Sequence, residues 1–93
     1  LDATTAPLDA AADLVQALEI AVTARGLARR QVMSDVIAGA DLLRGAVHAV
    51  LRNVDINLPG IADGEVAEAL ARRRVELAAS ADALHARAVT ATP

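Results

Sequence analysis

Residues 34–61, SDVIAGADLLRGAVHAVLRNVDINLPGI, decide how this chain folds. Ser34 is a good N-cap, because its side-chain oxygen can accept from a free backbone N–H of the first turn. Asp35 at the next position suits the positive end of the helix dipole. Val32, Val36, Leu43, Val47 and Val50 supply an apolar face at helical spacing, so the stretch predicts a helix ending near Asn53. Ala38, Gly45 and Ala49 line a narrow neighbouring face of small residues. A glycine inside a helix costs about 1 kcal/mol relative to alanine, so Gly39 and Gly45 ask for a return of about 2 kcal/mol. Close approach of another helix or of a ligand would supply it. From Asn53 to Asp63 the pattern changes. Val54, Ile56, Leu58 and Ile61 alternate with Asp55, Asn57 and Pro59, and Pro59-Gly60 marks a turn, which predicts a short strand-like connector pressed onto the helices.

Upstream, Thr5 to Arg25 reads as an amphipathic helix, with Thr5 or Ala6 as its cap and Pro7 in the first turn, where a missing N–H costs nothing. Leu8, Ala11, Val15, Leu18 and Val22 form its apolar stripe, and Gly26 stops it before a connector from Leu27 to Met33. Downstream, a third helix runs from Asp63 or Gly64 to Ala88. Asp63, Glu65 and Glu68 lie in its first turns and Arg87 in its last, as the dipole prefers. Leu70, Leu77 and Leu84 fall seven apart, with Val66 and Ala88 continuing the stripe, a seam for a neighbouring helix. The tail from Val89 to Pro93 is expected to fray. The fold class is all-α: a helical bundle to which this chain contributes three helices.

Composition says that such a bundle needs more protein. The 93 residues are 55% hydrophobic yet include no Phe, Tyr or Trp. An aromatic side chain buries about 150–250 Å² and alanine, the commonest residue here, far less, so the apolar faces are expected to be completed by other helices. These would come from a missing segment or a partner chain, giving a homo- or hetero-oligomer. The chain opens on Leu1, in LDATTAP, which suggests a longer gene product.

A net charge of −3, with nine Arg and no Lys, offers no electrostatic reason to bind nucleic acid or an anionic membrane. No apolar run approaches the roughly 20 residues that a bilayer span needs, and no signal pattern precedes the first helix, so a cytoplasmic protein is expected. Cysteine is absent and the two histidines are far apart in the chain, so no metal site is expected.

Asp41, Arg44, His48 and Arg52 can share one face of the second helix, either as a solvated ion-paired surface or, given a cavity, around a proton-shuttling His48. Arg72, Arg73 and Arg74 read as a solvated surface paired with Glu68 and Glu76. Arg29 and Arg30 could hold an anionic tail. Ser34 and Asp35 have a plain reading as a cap, and Asn53 and Asn57 as turn and cap residues. There is no nucleophile elbow and no glycine-rich phosphate loop.

Taken whole, the Ser34-Asp35 opening, the small-residue helix after it and the segment Asn53-Val54-Asp55-Ile56-Asn57-Leu58 resemble one known arrangement. It is the C-terminal half of the formimidoyltetrahydrofolate cyclodeaminase and methenyltetrahydrofolate cyclohydrolase family. The two motifs stand at that family's separation, and the likeness covers roughly residues 7 to 80. It departs at the entry to the second helix, where family members often carry a Gly-Asn-Pro-like turn and this chain has Gly26 followed by Leu-Ala-Arg-Arg. The family's glycine-rich upstream loop and the acid regarded as its proton donor have no counterpart here.

The resemblance implies C–N bond chemistry on a tetrahydrofolate derivative as substrate, without a metal. It also implies that the catalytic acid lies on another chain or segment, so that this chain is the C-terminal half of the domain. Ser34, Asp35, Asn53 and Asn57 are the implied substrate-binding residues. Asp35 would orient a cationic nitrogen, and Asn53 or Asn57 would contact substrate or close the loop. Two alternatives stand beside it: a non-catalytic helical dimerisation module, and a relative acting on a non-folate substrate.

Overall fold

The computed structural model describes residues 2–27 and 30–90. Three α-helices follow one another: α1 (Asp2–Leu27), α2 (Arg30–Asn57) and α3 (Gly64–Val89), with a single 3₁₀ turn, Leu58–Gly60, between the last two. No strand occurs among the described residues. Contacts between helix ends define an up-down-up arrangement. Asn57 at the end of α2 reaches Ala3 at the start of α1, and Arg25 at the end of α1 reaches Ala88 at the end of α3.

The α1 stripe is buried as its spacing predicts: Leu8, Ala11 and Leu18 are fully covered, Val15 almost so, and Val22 packs at the edge of the core. From α2 come Ala40, Val47, Leu51 and Val54. The only fully buried residues of α3 are Ala81 and Ala88, while its Leu70, Leu77 and Leu84 lie partly buried against the same cluster. The molecule measures 51 × 17 × 14 Å between Cα atoms. A rod so narrow has room for one layer of side chains at its centre, and each helix keeps an outward face.

Several boundaries differ from the sequence expectation. Helix α1 begins at Asp2 rather than Thr5, so Pro7 stands inside the helix instead of in its first turn. Helix α2 begins at Arg30, which places Ser34 and Asp35 inside it, and Ser34 is not the cap. The strand-like connector is not formed, since α2 continues to Asn57 and the 3₁₀ turn follows at once. Burial explains the continuation: Val47, Leu51 and Val54 are fully buried at steps of four and three, whereas Ile56 is 74% exposed. A strand would put Val54 and Ile56 on the same side. Pro59 then ends the helix, because its ring disfavours helical geometry at Leu58 and removes the next N–H donor. Asp63, expected in the first turn of α3, is its N-cap, its Oδ1 accepting from the N–H groups of Glu65 at 3.0 Å and Val66 at 3.2 Å. Val32, placed in the core from sequence, is 46% exposed. Residues 91–93 of the tail lie outside the described residues, and Val89 still belongs to α3.

Candidate functional site

The face of α2 opposite the core carries Ser34, Asp35, Ala38, Leu42, Gly45, Ala49 and Asn53, all exposed and spaced by whole helical turns. Nothing lies within 4 Å of a Cβ built on Gly39 or Gly45, so the close approach expected at these glycines is not made by this chain's own helices. Three of the four predicted binding residues therefore share one face, but they do not meet. Asp35 and Asn53 are eighteen residues apart on one helix, which at 1.5 Å per residue is about 27 Å. No small molecule touches both on one chain.

Asn57 has a different task. In an α-helix the N–H of residue 7 would bond to the carbonyl of residue 3, and Pro7 has no N–H to give. The Asn57 side-chain amide donates to that orphaned Ala3 carbonyl at 3.1 Å and to the Asn53 carbonyl of its own helix at 2.8 Å. It thus ties the end of α2 to the start of α1. Replacing Asn57 with Ala is expected to cost about 1 kcal/mol in a denaturant titration. In a Pro7→Ala background the same change should cost clearly less, because the backbone N–H of the new alanine supplies the missing donor; equal costs in both backgrounds would refute the pairing.

A polar ladder joins α2 to α3. Asp82 accepts from Arg44 Nε at 2.8 Å and lies 2.7 Å from His48 Nε2, while His85 Nε2 lies 2.6 Å from Asp41. One rung further along, Arg74 forks onto both oxygens of Asp55, at 2.8 and 2.9 Å. Both histidines of the chain are thus engaged by aspartates across one helix pair, on the face where Asp41, Arg44 and His48 were expected to form ion pairs. Asp82 and His85 were not foreseen. The Arg run also pairs differently from the expectation: Arg73 reaches Asp9 on α1 at 3.0 Å and Arg74 reaches Asp55, where Glu68 and Glu76 had been assigned.

The hydrogen bond with His48 holds the Asp82 carboxyl below its usual range; burial opposes it, and the hydrogen bond from Arg44 adds a smaller push in the same direction as His48. A carboxylate whose folded pKa is depressed contributes stability that is complete above its unfolded value, near pH 4. That contribution disappears as pH falls through the lower folded value. Replacing Asp82 with Asn should flatten this acid limb of a stability-against-pH curve; an unchanged limb would rule the contribution out.

Arg25 is the functional-looking residue that sequence reading passed over. It is 6% exposed, and its guanidinium donates to the carbonyls of Ala88 at 2.9 Å and Thr90 at 2.6 Å. These are orphan acceptors at the negative end of α3, so the side chain acts as a C-terminal cap supplied by another helix. Arg29 and the side chain of Arg30, read as a holder for an anionic tail, lie outside the described residues.

Two shallow depressions mark the surface, one along α1 at Gln16, Glu19, Ile20 and Thr23, the other around Gly60, Ile61, Asp63 and Val66. Neither is lined by Ser34, Asp35, Asn53 or Asn57. Among the described residues no group of three or more His, Asp or Glu is placed to hold a metal ion, and no helix is long and apolar enough to cross a membrane.

An all-helical chain with a small-residue central helix, a Ser-Asp pair near its start and an Asn-rich end defines a class of helical domain. The family described as formiminotransferase-cyclodeaminase matches residues 1–76, and the chain belongs to it. No curated protein and no solved structure matches the chain at a significant level.

Proposed function

We propose that this chain is part of an enzyme acting on the one-carbon unit of a tetrahydrofolate derivative, by cyclodeaminase or methenyltetrahydrofolate cyclohydrolase chemistry. Membership of the family over residues 1–76 carries the reading. In cyclodeamination a folate nitrogen attacks the formimino carbon and ammonia departs as the methenyl bridge closes; in the hydrolase reaction water adds to the same carbon. Both need a proton donor for the leaving nitrogen and fixed polar groups around the cationic centre.

Asp35, exposed on α2, offers a carboxylate to an amidinium or iminium nitrogen, with Ser34 beside it; the Asn53 amide, about 27 Å further along the same helix, orients substrate only at a separate place that another chain completes. Asn57 closes the loop and holds the scaffold, in keeping with its bonds to α1. The proton donor and the remaining walls come from a second polypeptide or an upstream half, of which this chain is the C-terminal complement, in a cytoplasmic oligomer. A non-catalytic dimerisation module is the second reading, favoured by the open face at Gly45.

The test is turnover of methenyltetrahydrofolate, and ammonia release from the formimino compound, by the chain together with the product of the adjoining coding sequence. Asp35→Asn is expected to lower turnover about a hundredfold and Asn53→Ala about tenfold. Unchanged rates in both would remove them from the site, and an assembly inert on both substrates would favour the dimerisation module.

A further inference from the structure

We propose that Arg44, His48 and Arg52, one turn apart along the flank of α2 beside α3, form a binding site for a phosphate group, and that Asp82 of α3 occupies this site as an internal stand-in. Two of the three basic side chains already hold a carboxylate oxygen. Arg44 Nε donates to Asp82 Oδ1 at 2.8 Å, and His48 Nε2 lies 2.7 Å from the same oxygen. An ionised carboxylate can only accept, so Nε2 carries its proton there. Both donors stand on one helix four residues apart, so α2 presents the site and α3 supplies only the acceptor. Arg52 follows four residues beyond His48; it is exposed and forms no ion pair among the described residues.

Charge along the same flank favours an anion. Asp41, one turn before Arg44, is engaged by His85, and Asp55, one turn after Arg52, by Arg74. The acids of α2 that would repel a ligand are thus each held by a base of α3, and Asp82 is the acid set against the basic column. The bond with His48 holds the Asp82 carboxyl below its usual range, so the place prefers a charged oxyanion. A phosphate group carries about 1.5 to 2 negative charges at neutral pH and three acceptor oxygens, and it matches three basic side chains better than a carboxylate does. Asp82 gives way readily, because its side chain is 48% exposed and exposed ion pairs contribute little. Ligand and Asp82 compete for the same N–H groups. Binding therefore loosens the docking of α3, and that docking weakens binding by the same factor. The family match ends at residue 76, so the blocking acid lies in a stretch that the match does not cover.

Titration calorimetry of the full chain with inorganic phosphate, at constant ionic strength, tests the site. Asp82→Ala should bind phosphate at least about fivefold more tightly than the parent, and Arg44→Gln added to it should remove the gain. Asp55→Ala, which frees Arg74 on α3 and leaves the Asp82 contacts in place, should bring a clearly smaller gain. In the unaltered protein, phosphate should speed amide exchange over residues 81–89 beyond sodium chloride of equal ionic strength, and Arg44→Gln should abolish the difference. Tighter binding of glycerol 3-phosphate than of inorganic phosphate would assign the site to a phosphate ester, and the reverse to the free ion. Equal affinity of the parent and Asp82→Ala, an equal gain in Asp55→Ala, or α3 exchange indifferent to phosphate would overturn the proposal. Should Asp82→Ala lose its helical spectrum, the exchange of the unaltered protein decides alone.

Discussion

Leu51→Ala is expected to remove about 3 kcal/mol of stability, a large part of what this chain has. Leu51 is fully buried, and among the described residues it stands with Leu8 and Leu18 as the largest fully covered side chains. Deleting a buried leucine's branches costs about 2–5 kcal/mol, the transfer of the lost methyl groups plus the cavity left behind. A domain of this size without aromatic side chains stands near the lower end of the usual range, about 5 kcal/mol. The urea midpoint should therefore fall by roughly 2 M or more. Ile20→Ala serves as the comparison, since Ile20 is 69% exposed and its loss should move stability by less than about 0.5 kcal/mol. Equal effects at the two positions would mean that α1, α2 and α3 do not pack as described.

Arg25 gives the second large effect. Among the described residues its charge faces no carboxylate; it is balanced by the carbonyls of Ala88 and Thr90 at the end of α3 and by its own place in the last turn of α1. Replacing Arg25 with Met keeps most of the buried stem and removes the donors. The carbonyls then lose their partner in a site with little access to water, at a cost of about 2–3 kcal/mol. Arg25→Lys should recover part of this, because one ammonium cannot fork onto two carbonyls as a guanidinium does. Chemical denaturation ranks the three proteins, and a Met variant as stable as the parent would show that the cap contributes nothing.

How far these features could be read in advance depends on how local their causes are. The α1 stripe was legible because Leu8, Ala11, Val15 and Leu18 repeat at helical steps and all are buried. The end of α2 was not, because Val54, Ile56 and Leu58 satisfy a two-residue period as well as part of a helical one, and a short apolar run cannot separate them. Burial of Val54 beside Leu51 decided it. Ser34 misled for a related reason: its capping preference is a local tendency, and the helix simply starts one turn earlier.

At the candidate site, the common face of Ser34, Asp35 and Asn53 was implicit in their spacing, and so was the distance that keeps them apart. The role of Asn57 had a signal in Pro7, an interior proline that leaves a carbonyl without a donor. The Arg25 cap had none, since it joins residues 63 positions apart. Asp82 and His85 could have been paired with His48 and Asp41 only once the direction of α3 against α2 was known.

The modest share of α3 in the core has a dynamic consequence. Anchored by two buried alanines, half-covered leucines, the Arg25 cap at its end and a ladder of exposed charged pairs, this helix should detach while α1 and α2 stay together. Its amide protons would then exchange with solvent through partial opening rather than whole-molecule unfolding. Raising the ionic strength to about 1 M, where charges are screened within roughly 3 Å, should speed that exchange selectively.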